Sequence, residues 1–312
     1  MAGLGNGEGI LYDLIVLGGG PAGLTSAIYG GRAQMKTIVI ENRASGGEIT
    51  LTDMLENYPG FPEGIGGYEF GTLLEKQAIR FGAEIVFTSV ESIQTGERIK
   101  KVITPSGVYS GRTLIIATGT SPRTLGVPGE DLLAGKGISF CATCDGPLFR
   151  NKKTAVIGGG DAAVEEALYL TRFASDVVLI HRRNDLRAAS YLQERFNTNP
   201  KIRFLGETTV KEFKGTQRLE SILLQNITSG SAMEIDADGA FLFVGRIPSA
   251  GFAEGIEKDG SGYIKTGENM ETSIPGVFAA GDIRSKTLRQ VVTAAADGAI
   301  AATSAMKYID NN

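Results

Sequence analysis

The stretch Tyr12-Asp13-Leu14-Ile15-Val16-Leu17-Gly18-Gly19-Gly20-Pro21-Ala22-Gly23 decides the fold of this 312-residue chain. Its first six residues have the apolar character of a buried strand, and the pattern Gly18-x-Gly20-x-x-Gly23 follows at once. Gly18 allows a tight turn, Gly20 lets backbone N–H groups approach a pyrophosphate, and Gly23 permits close packing of helix on strand. The N-terminus of the helix that follows then faces the anion. The stretch therefore predicts a dinucleotide-binding turn.

The residues that follow complete this first dinucleotide-binding unit. An apolar helix pattern leads to a predicted strand, Thr37-Ile38-Val39-Ile40, which ends at Glu41. Glu41 lies 23 residues after Gly18, where a carboxylate can accept hydrogen bonds from ribose hydroxyls. We expect this first site to bind FAD. Its candidate residues are Gly18, Gly20, Pro21, Ala22, Gly23 and Glu41.

A second copy of the pattern begins at Thr154. The predicted strand Thr154-Ala155-Val156-Ile157 is followed by Gly158-Gly159-Gly160-Asp161-Ala162-Ala163, and a helix pattern continues to Phe173. The next predicted strand ends at His181-Arg182-Arg183, and His181 lies 23 residues after Gly158. One glycine pattern alone is a weak signal, because such turns are common between strands and helices. Two copies in the same register indicate two nucleotide sites.

The residue that closes the second unit differs in charge from its counterpart in the first. Where the first strand pair ends at Glu41, the second ends at a basic cluster, and Arg187 adds a third guanidinium. A carboxylate there would repel a 2′-phosphate, whereas paired guanidiniums bind it through charge-assisted hydrogen bonds. The alternative is a solvated basic turn. We expect this site to prefer NADPH over NADH, with the candidate residues Gly158, Gly160, Asp161, Ala163, His181, Arg182, Arg183 and Arg187.

The order of these segments predicts the domain organisation. Two further strand patterns that end in glycine, Leu114 to Gly119 and Phe241 to Gly245, bracket the second unit. A long helix is predicted near the end of the sequence, from about Leu288 to Tyr308. We therefore predict an α/β protein with two Rossmann-like dinucleotide-binding domains. The NADPH-binding domain, residues 119–246, is inserted into a discontinuous FAD-binding domain formed by residues 1–118 and 247–312.

The only two cysteines of the chain stand in the stretch Cys141-Ala142-Thr143-Cys144. Two cysteines at this spacing can close and open a disulfide with little backbone change, and a helix N-terminus nearby lowers the pKa of a thiol. The alternative is half of a zinc site, which needs four ligands, and only His181 and carboxylates remain to supply them. We predict a redox-active pair and no metal site.

Composition excludes several classes of protein. A formal net charge of −4 gives no basic field for nucleic acid. No run reaches the roughly 18 apolar residues of a membrane span, and the first residues lack the pattern of a signal peptide. We expect a cytoplasmic protein with no nucleic-acid or membrane partner.

The hexapeptide Cys141-Ala142-Thr143-Cys144-Asp145-Gly146 resembles the redox motif of low-molecular-weight, bacterial-type thioredoxin reductases. The order of the other motifs along the chain is also similar to the order in that family, and the resemblance extends from about Asp13 to Ile309. These motifs are the two glycine patterns, Glu56 to Gly60, Ala117 to Gly119, His181 to Arg187, Gly281-Asp282 and Arg289-Gln290.

The resemblance implies an activity and a division of labour. Electrons would pass from NADPH through FAD to the Cys141/Cys144 disulfide and on to thioredoxin or a thioredoxin-like protein. Cys144 would lie beside the flavin, Cys141 would attack the substrate disulfide, and Asp145 would move the proton. The family also implies a homodimer, and a hinge rotation of the NADPH domain between two states.

The resemblance also implies flavin contacts. Asp282 would contact the ribityl chain of FAD, and Asn57, Gly119, Arg289 and Gln290 would lie near the cofactor. The sequence departs from the family pattern at Glu48, at Asp53 and at Pro248-Ser249. The two extra carboxylates could lower the flavin potential or weaken a contact, and the third departure puts the details of the hinge in doubt.

Two other functions remain open on the sequence. The same fold and dithiol chemistry could use ferredoxin as reductant or another dithiol as acceptor. Ferredoxin-linked relatives usually lose the basic clamp, which is intact here. A non-catalytic redox sensor is the second alternative, although a sensor needs no hydride donor.

Overall fold

The structure is a computed structural model that describes residues 9–51, 55, 57–96 and 98–312, without the side chains of Leu51, Thr143 and Cys144. The chain divides into two compact units. Unit 1 comprises Met1–Ser121 and Ile247–Asn312, and unit 2 comprises Pro122–Arg246. Each unit contains parallel strands and helices that alternate along the chain, so the predicted α/β class is confirmed.

Unit 1 is built on a seven-stranded sheet. Its strands are β1 (Leu11–Leu17), β2 (Thr37–Glu41), β3 (Glu84–Phe87), β4 (Ser92–Thr95), β5 (Lys100–Thr104), β6 (Gly107–Ile116) and β17 (Val277–Ala279). Its helices are α1 (Pro21–Arg32), α2 (Gly67–Arg80) and α7 (Val291–Asp310). Short 3-10 segments cover Gly47–Leu51 and Gly281–Ile283.

The sheet of unit 1 combines a parallel half with an antiparallel half. The order is β3-β2-β1-β6-β5-β4, and β17 also pairs with β6. The first half of β6 lies antiparallel to β5, while its second half lies between the parallel strands β1 and β17. Strand β1 is therefore central, and the glycine turn at its end lies at the carboxyl edge of the parallel strands, where nucleotides bind in such sheets.

Both faces of β1 are covered, which explains its continuous apolar run. Leu14, Ile15, Val16 and Leu17 are all fully buried. Leu14 and Val16 join a core beneath α1 and α7, whereas Ile15 and Leu17 join a second core on the other face. A strand covered on one face only would alternate apolar and polar residues.

Helices α1 and α7 approach each other closely at Gly298. A Cβ atom added there would collide with the backbone carbonyl oxygen of Ala22. The Ser26 hydroxyl donates to this same carbonyl at 2.9 Å and also lies 3.1 Å from the carbonyl oxygen of Gly298. The absent side chain thus allows the first and last helices of unit 1 to pack backbone against backbone.

We expect Gly298→Ala to lower the free energy of unfolding by about 2 kcal/mol, because overpacking outweighs the better helix propensity of alanine. Urea unfolding followed by circular dichroism measures the change. Gly251→Ala is the matched control in the same unit, since a Cβ there meets no atom within 4 Å. Equal stability of the two variants would show that the helices can move apart at no cost.

Unit 2 contains a five-stranded parallel sheet and a three-stranded antiparallel sheet. The strands are β8 (Ile138–Ser139), β9 (Lys153–Gly158), β10 (Asp176–Ile180), β11 (Ile202–Leu205), β12 (Thr208–Lys214), β13 (Ser221–Asn226), β14 (Ala232–Asp236) and β15 (Gly239–Phe243). The order in the parallel sheet is β11-β10-β9-β15-β8, and the order in the antiparallel sheet is β12-β13-β14. The helices are α3 (Glu130–Leu133), α4 (Ala142–Asp145), α5 (Asp161–Leu170) and α6 (Ser190–Asn197).

The chain passes between the units twice. The two crossings contain the short strands β7 (Thr120–Pro122) and β16 (Arg246–Pro248), which pair as a two-stranded sheet. On the unit 1 side, the Ser249 N–H donates to the Gly119 carbonyl at 3.0 Å, and the Thr118 hydroxyl donates to the Ser249 carbonyl at 2.8 Å. Ser249, one of the departures from the family pattern, thus makes its hydrogen bonds through its backbone.

Two helix boundaries differ from the predicted ones. Helix α5 ends at Leu170 and not at Phe173, because the next residues turn more tightly, with the Phe173 N–H bonded to the Leu170 carbonyl at 3.0 Å. Helix α7 begins at Val291 and not near Leu288, because Gln290 forms a capping box with Thr293. Among the described residues, no helix combines the length and apolarity of a membrane span.

Candidate active site

The first glycine turn joins β1 to α1, as the sequence predicts. Gly18 has a φ of +100°, and a Cβ there would collide with the Ala117 carbonyl oxygen. A Cβ on Gly23 would collide with the carbonyl oxygen of Gly18. Both glycines are therefore required by close backbone packing, and Pro21 occupies the first position of α1.

The turn presents an open surface at Gly20. A Cβ added to Gly20 would meet only the Gly47 Cα, at 4.0 Å. Gly20 is the N-cap of α1 and no side chain caps the helix, so the first-turn N–H groups around Ala22 are not used by a capping side chain. A bare helix N-terminus beside an open glycine is a cradle for a pyrophosphate, and the residues of this turn fit FAD.

Glu41 is held against this turn. Its Oε2 accepts from the Gly19 N–H at 2.6 Å, and its Oε1 accepts from the N–H groups of Asn42 and Arg43, both at 2.8 Å. The carboxylate is therefore fixed in place at the end of β2. Oε2 accepts only the bond from Gly19, so it can accept a further one from a ribose hydroxyl.

Asp282 is brought to the same turn by Gly281. Gly281 has a φ of +78°, and a Cβ there would lie 2.8 Å from the Cβ of Ala22. The 3-10 segment Gly281–Ile283 therefore packs on the first turn of α1. The structure thus gathers Gly18, Gly20, Pro21, Ala22, Gly23, Glu41 and Asp282 at one end of unit 1.

Asn57, Arg289 and Gln290 meet at the start of α7. The Asn57 amide donates to the Gln290 Oε1 at 3.0 Å. The Arg289 Cζ lies 4.1 Å from the centroid of the Tyr263 ring, a cation–π contact. The Nε atom of Arg289 is buried and has no hydrogen-bond partner among the described residues. Sequence reasoning missed Tyr263, for which no local pattern gives a signal.

The second glycine turn joins β9 to α5 in unit 2. A Cβ on Gly158 would lie 2.5 Å from the Phe243 carbonyl oxygen and 2.7 Å from the Ala163 Cβ, which explains both small residues. A Cβ on Gly160 would meet no atom within 4 Å, so this turn also has an open surface. The geometry fits a second pyrophosphate.

The loop that carries the basic cluster is tied to this turn. The Arg187 N–H donates to the Gly159 carbonyl at 2.7 Å, and the Ala189 N–H donates to the Asp161 Oδ1 at 2.7 Å. The side chains of Arg182, Arg183 and Arg187 are all exposed. Three guanidiniums therefore stand near the N-terminus of α5, where they can bind a dianionic phosphate.

His181 occupies the position that Glu41 has in unit 1. Its imidazole lies directly under Gly159, where a Cβ would come within 2.5 Å of the ring, just as Glu41 lies under Gly19. His181 is buried, and burial lowers the pKa of the ring, with further lowering by the charges of Arg187, Arg182 and Arg183. Unlike the carboxylate of Glu41 in unit 1, a neutral imidazole at this position does not repel a phosphate.

The redox turn follows β8. Cys141 is disulfide-bonded and immediately precedes α4, and its carbonyl accepts from the Asp145 N–H at 3.2 Å. The buried Ser139 accepts from the Cys141 N–H at 3.0 Å. Sequence reasoning missed Ser139, whose only signal was its place in the strand before the motif. The side chain of Cys144 lies outside the described part of the structure.

Helix α5 packs against α4 and carries an unusual carboxyl group, Glu166. Its Oε2 is buried without a hydrogen-bond partner among the described residues. Burial raises the pKa of Glu166 from its ordinary value of 4.5 to about 7, with a smaller contribution from Glu165. Glu166 is therefore largely protonated below neutral pH.

We expect Glu166→Gln to stabilise the protein at pH 8 by up to about 3 kcal/mol and to change little at pH 4.5. Because the pKa of Glu166 is raised in the folded protein, the carboxyl group costs no stability below pH 4.5, where it is protonated in both the folded and the unfolded state. The wild type then loses stability as the pH rises from 4.5 to about 7. Urea unfolding across this pH range measures the difference. Glu194→Gln on α6, an exposed carboxylate, should show no such pH-dependent gain. A constant difference between wild type and Glu166→Gln would contradict the pKa.

Some residues that the sequence analysis singled out lie outside the described part of the structure. Asp53 and Glu56 lie outside the described residues, whereas Glu48 lies in the 3-10 segment Gly47–Leu51. Gly119 has a φ of +63° and lies at the first crossing. Within the described ranges, no group of three or more histidine, cysteine or acidic side chains could hold a metal ion.

Comparisons with known proteins agree with this arrangement. The family model described as pyridine nucleotide-disulphide oxidoreductase matches residues 12–298. The thioredoxin reductase of Treponema pallidum is 46% identical over 299 residues, 96% of this chain and 97% of that protein. The thioredoxin reductase of Bacillus subtilis is 45% identical over 303 residues, 96% of this chain and 95% of that protein.

A solved structure of a thioredoxin reductase is also similar to this chain. The crystal structure of Lactococcus lactis thioredoxin reductase in its FR conformation superposes with a TM-score of 0.91 at 41% identity. The match covers 96% of this chain and 100% of that one. The predicted architecture of two Rossmann-type nucleotide-binding domains is confirmed by these comparisons. The chain therefore belongs to the pyridine nucleotide-disulphide oxidoreductase family.

Proposed function

We propose that this chain is a thioredoxin-disulfide reductase that uses NADPH and FAD. The observation that carries the proposal is the disulfide at Cys141, which lies in the same unit as the glycine turn with three exposed guanidiniums. A second glycine turn, closed by Glu41, lies in unit 1 of the same chain. One chain therefore combines a site for a hydride donor, a site for a flavin and a dithiol pair.

FAD is assigned to unit 1 and NADPH to unit 2. The Gly18–Gly23 turn would hold the pyrophosphate of FAD, Glu41 its ribose, and Asp282 its ribityl chain. Asn57, Arg289 and Gln290 would contact the flavin end. In unit 2 the turn at Gly158, Gly160, Asp161 and Ala163 would hold the NADPH pyrophosphate, and Arg182, Arg183 and Arg187 its 2′-phosphate.

The thiol chemistry follows from the position of the cysteines. FAD, when bound, supplies a carrier that takes a hydride from NADPH and delivers two electrons to the Cys141/Cys144 disulfide. The Cys141 thiolate then attacks a substrate disulfide, which forms a mixed disulfide and releases one substrate thiolate. The Cys144 thiolate displaces the second substrate sulfur, and the enzyme disulfide forms again. One disulfide is reduced and one is formed, so the electrons balance.

The residues next to the cysteines would position and protonate them. Asp145, one residue after Cys144, is proposed to give a proton to the departing thiolate and to receive it back. Ser139 is proposed to fix the backbone of Cys141 through its hydrogen bond to the Cys141 N–H. The N-terminus of α4 beside Cys141 favours the thiolate.

The basic cluster favours NADPH over the ferredoxin alternative. A protein reductant delivers electrons without a nucleotide, so it needs neither an open Gly160 nor exposed guanidiniums near α5. Both features are present in unit 2. A sensor without catalysis is less well supported for the same reason.

We further propose a cytoplasmic homodimer whose partner substrate is a thioredoxin or a thioredoxin-like protein. A dimer through unit 1 is supported by exposed apolar side chains on α1 and α2. These side chains are Tyr29, Tyr68, Leu73 and Ile79. Analytical ultracentrifugation of the wild type distinguishes a dimer from a monomer directly.

An anaerobic assay tests the proposed activity. The FAD-loaded protein is mixed with NADPH or NADH, and the loss of flavin absorbance is followed before thioredoxin disulfide is added. We expect fast reduction by NADPH, slow reduction by NADH and release of thioredoxin thiols. The proposal is wrong if NADPH does not reduce the flavin or if reduced protein leaves thioredoxin disulfide intact.

A further inference from the structure

A buried carboxylate on α7 holds three donors at the end of unit 1 where FAD is assigned. Asp297 is only 7% exposed. Its Oδ2 accepts from the Gly281 N–H at 3.0 Å and from the Lys286 Nζ at 2.9 Å. Its Oδ1 lies 2.7 Å from the Arg284 guanidinium. One side chain thus fixes one backbone group and two cations.

The two cations are nearly as buried as Asp297. The Lys286 side chain is 10% exposed and the Arg284 side chain is 11% exposed. Lys286 also lies 3.2 Å from the Thr293 hydroxyl and 3.8 Å from the Asp282 carboxylate. Burial of charges is costly unless each is compensated, and a nonpolar cluster of equal volume is often as stable. Stability alone therefore does not account for this arrangement.

The position of Asp297 connects three parts of the proposed cofactor site. Gly281 precedes Asp282 and packs on Ala22 in the first turn of α1. Asp297 itself precedes Gly298, where α7 meets the Ala22 carbonyl. The carboxylate therefore holds the Gly281–Ile283 segment and the beginning of α7 against the N-terminus of α1.

A second connection runs through Arg284. The guanidinium of Arg289 donates to the Arg284 carbonyl at 3.4 Å, and the Arg284 Nε donates to the Thr266 hydroxyl at 2.7 Å. Arg284 is thus fixed at its side chain by Asp297 and Thr266, while its backbone contacts Arg289. The cluster beside the start of α7 thus contains the cations Arg284, Lys286 and Arg289 and the carboxylates Asp282 and Asp297, and Asp259 also interacts electrostatically with Arg289.

We propose that Asp297, together with Lys286, is a positioning residue for FAD that places Asp282 and sets the charge balance around the flavin. The inference rests on the proposed assignment of FAD to unit 1. Removing the Asp297 charge leaves two buried cations without their shared anionic partner and weakens the acceptor of the Gly281 N–H. Removing the Lys286 charge takes one positive charge away from the same place. The two changes act on the flavin with opposite electrostatic sign.

Two variants test the proposal with readouts that do not depend on turnover. Apoproteins of the wild type, Asp297→Asn and Lys286→Met are titrated with FAD, and the midpoint potential of the bound flavin is measured against redox dyes. We expect Asp297→Asn to weaken FAD binding about tenfold or more, since bonds to charged groups are lost. We expect its flavin potential to shift in the positive direction, and that of Lys286→Met in the negative direction.

A control variant and the signs of the two potential shifts decide the proposal. Glu257→Gln removes an exposed carboxylate of unit 1, paired with Lys265, and should leave affinity and potential unchanged. If both test variants shift the potential in the same direction, or not at all, the inference is overturned. If Asp297→Asn does not fold, the potential of Lys286→Met alone decides. A wild-type apoprotein that fails to bind FAD contradicts the cofactor assignment instead.

Discussion

Replacing Cys141 with serine is expected to lower turnover with thioredoxin disulfide by about a thousandfold or more. A serine hydroxyl is not ionised near neutral pH and cannot form a disulfide, so neither the attack on substrate nor the closing of the enzyme disulfide can occur. The reduction of FAD by NADPH should persist, because Cys141 belongs to the later thiol steps. The effect should therefore divide the reaction into an intact first half and an absent second half.

The measurement follows both halves in one sample. Flavin absorbance reports the first half, and the appearance of thioredoxin thiols reports the second. Cys144→Ser should give the same loss of thiol release. Ser175→Ala, a hydroxyl of unit 2 on a surface turn, is the matched control and should behave as wild type. Substantial thiol release by Cys141→Ser would show that the pair is not the route to substrate.

Replacing Arg182 and Arg183 together with alanine should lower kcat/KM for NADPH by roughly a hundredfold or more and leave kcat/KM for NADH nearly unchanged. Each charge-assisted hydrogen bond to a phosphate contributes about 1.5 to 3 kcal/mol, and both guanidiniums are exposed and available to the ligand. NADH has no 2′-phosphate, so the removed groups have no partner on it. The preference for NADPH should nearly disappear.

Steady-state kinetics with NADPH and with NADH give the ratio of the two kcat/KM values. Arg203→Ala is the control, because this exposed arginine lies in the same unit and pairs with Asp176 on β10 at 2.7 Å. It should change neither rate by more than about twofold, as for exposed ion pairs generally. An equal loss for NADPH and NADH in the double variant would place the basic cluster outside the 2′-phosphate site.

The parts of the protein that the sequence predicts well are those fixed by local chemistry. Gly18 and Gly23 are required by backbone atoms within a few residues or on the adjoining strand, and Glu41 by the loop that it closes. The shared spacing of Glu41 and His181 has a simple structural meaning. Each residue lies under the second glycine of its turn, Gly19 or Gly159. A sequence pattern of about thirty residues is therefore enough to predict each glycine turn and the residue that lies under it.

The parts that the sequence does not predict depend on distant contacts. Asp297 meets Gly281 only because α7 returns to α1, and Tyr263 meets Arg289 across a loop. Glu166 resembles any other helical glutamate in the sequence, and only its burial raises its pKa. No local spacing distinguishes such residues from ordinary surface groups. The helix ends were missed for a related reason, since Gln290 caps α7 through a side chain that a sequence pattern cannot orient.

The packing of α1 against α7 has a consequence for synthesis on the ribosome. Unit 2 is continuous, so every strand of its sheets has been made once residue 246 has emerged. Helix α1 precedes unit 2 in the chain, yet its principal partner, α7, follows unit 2. We expect nascent chains to gain protease resistance in unit 2 first, while the earlier-made half of unit 1 becomes resistant only after α7 has been made and packs on it.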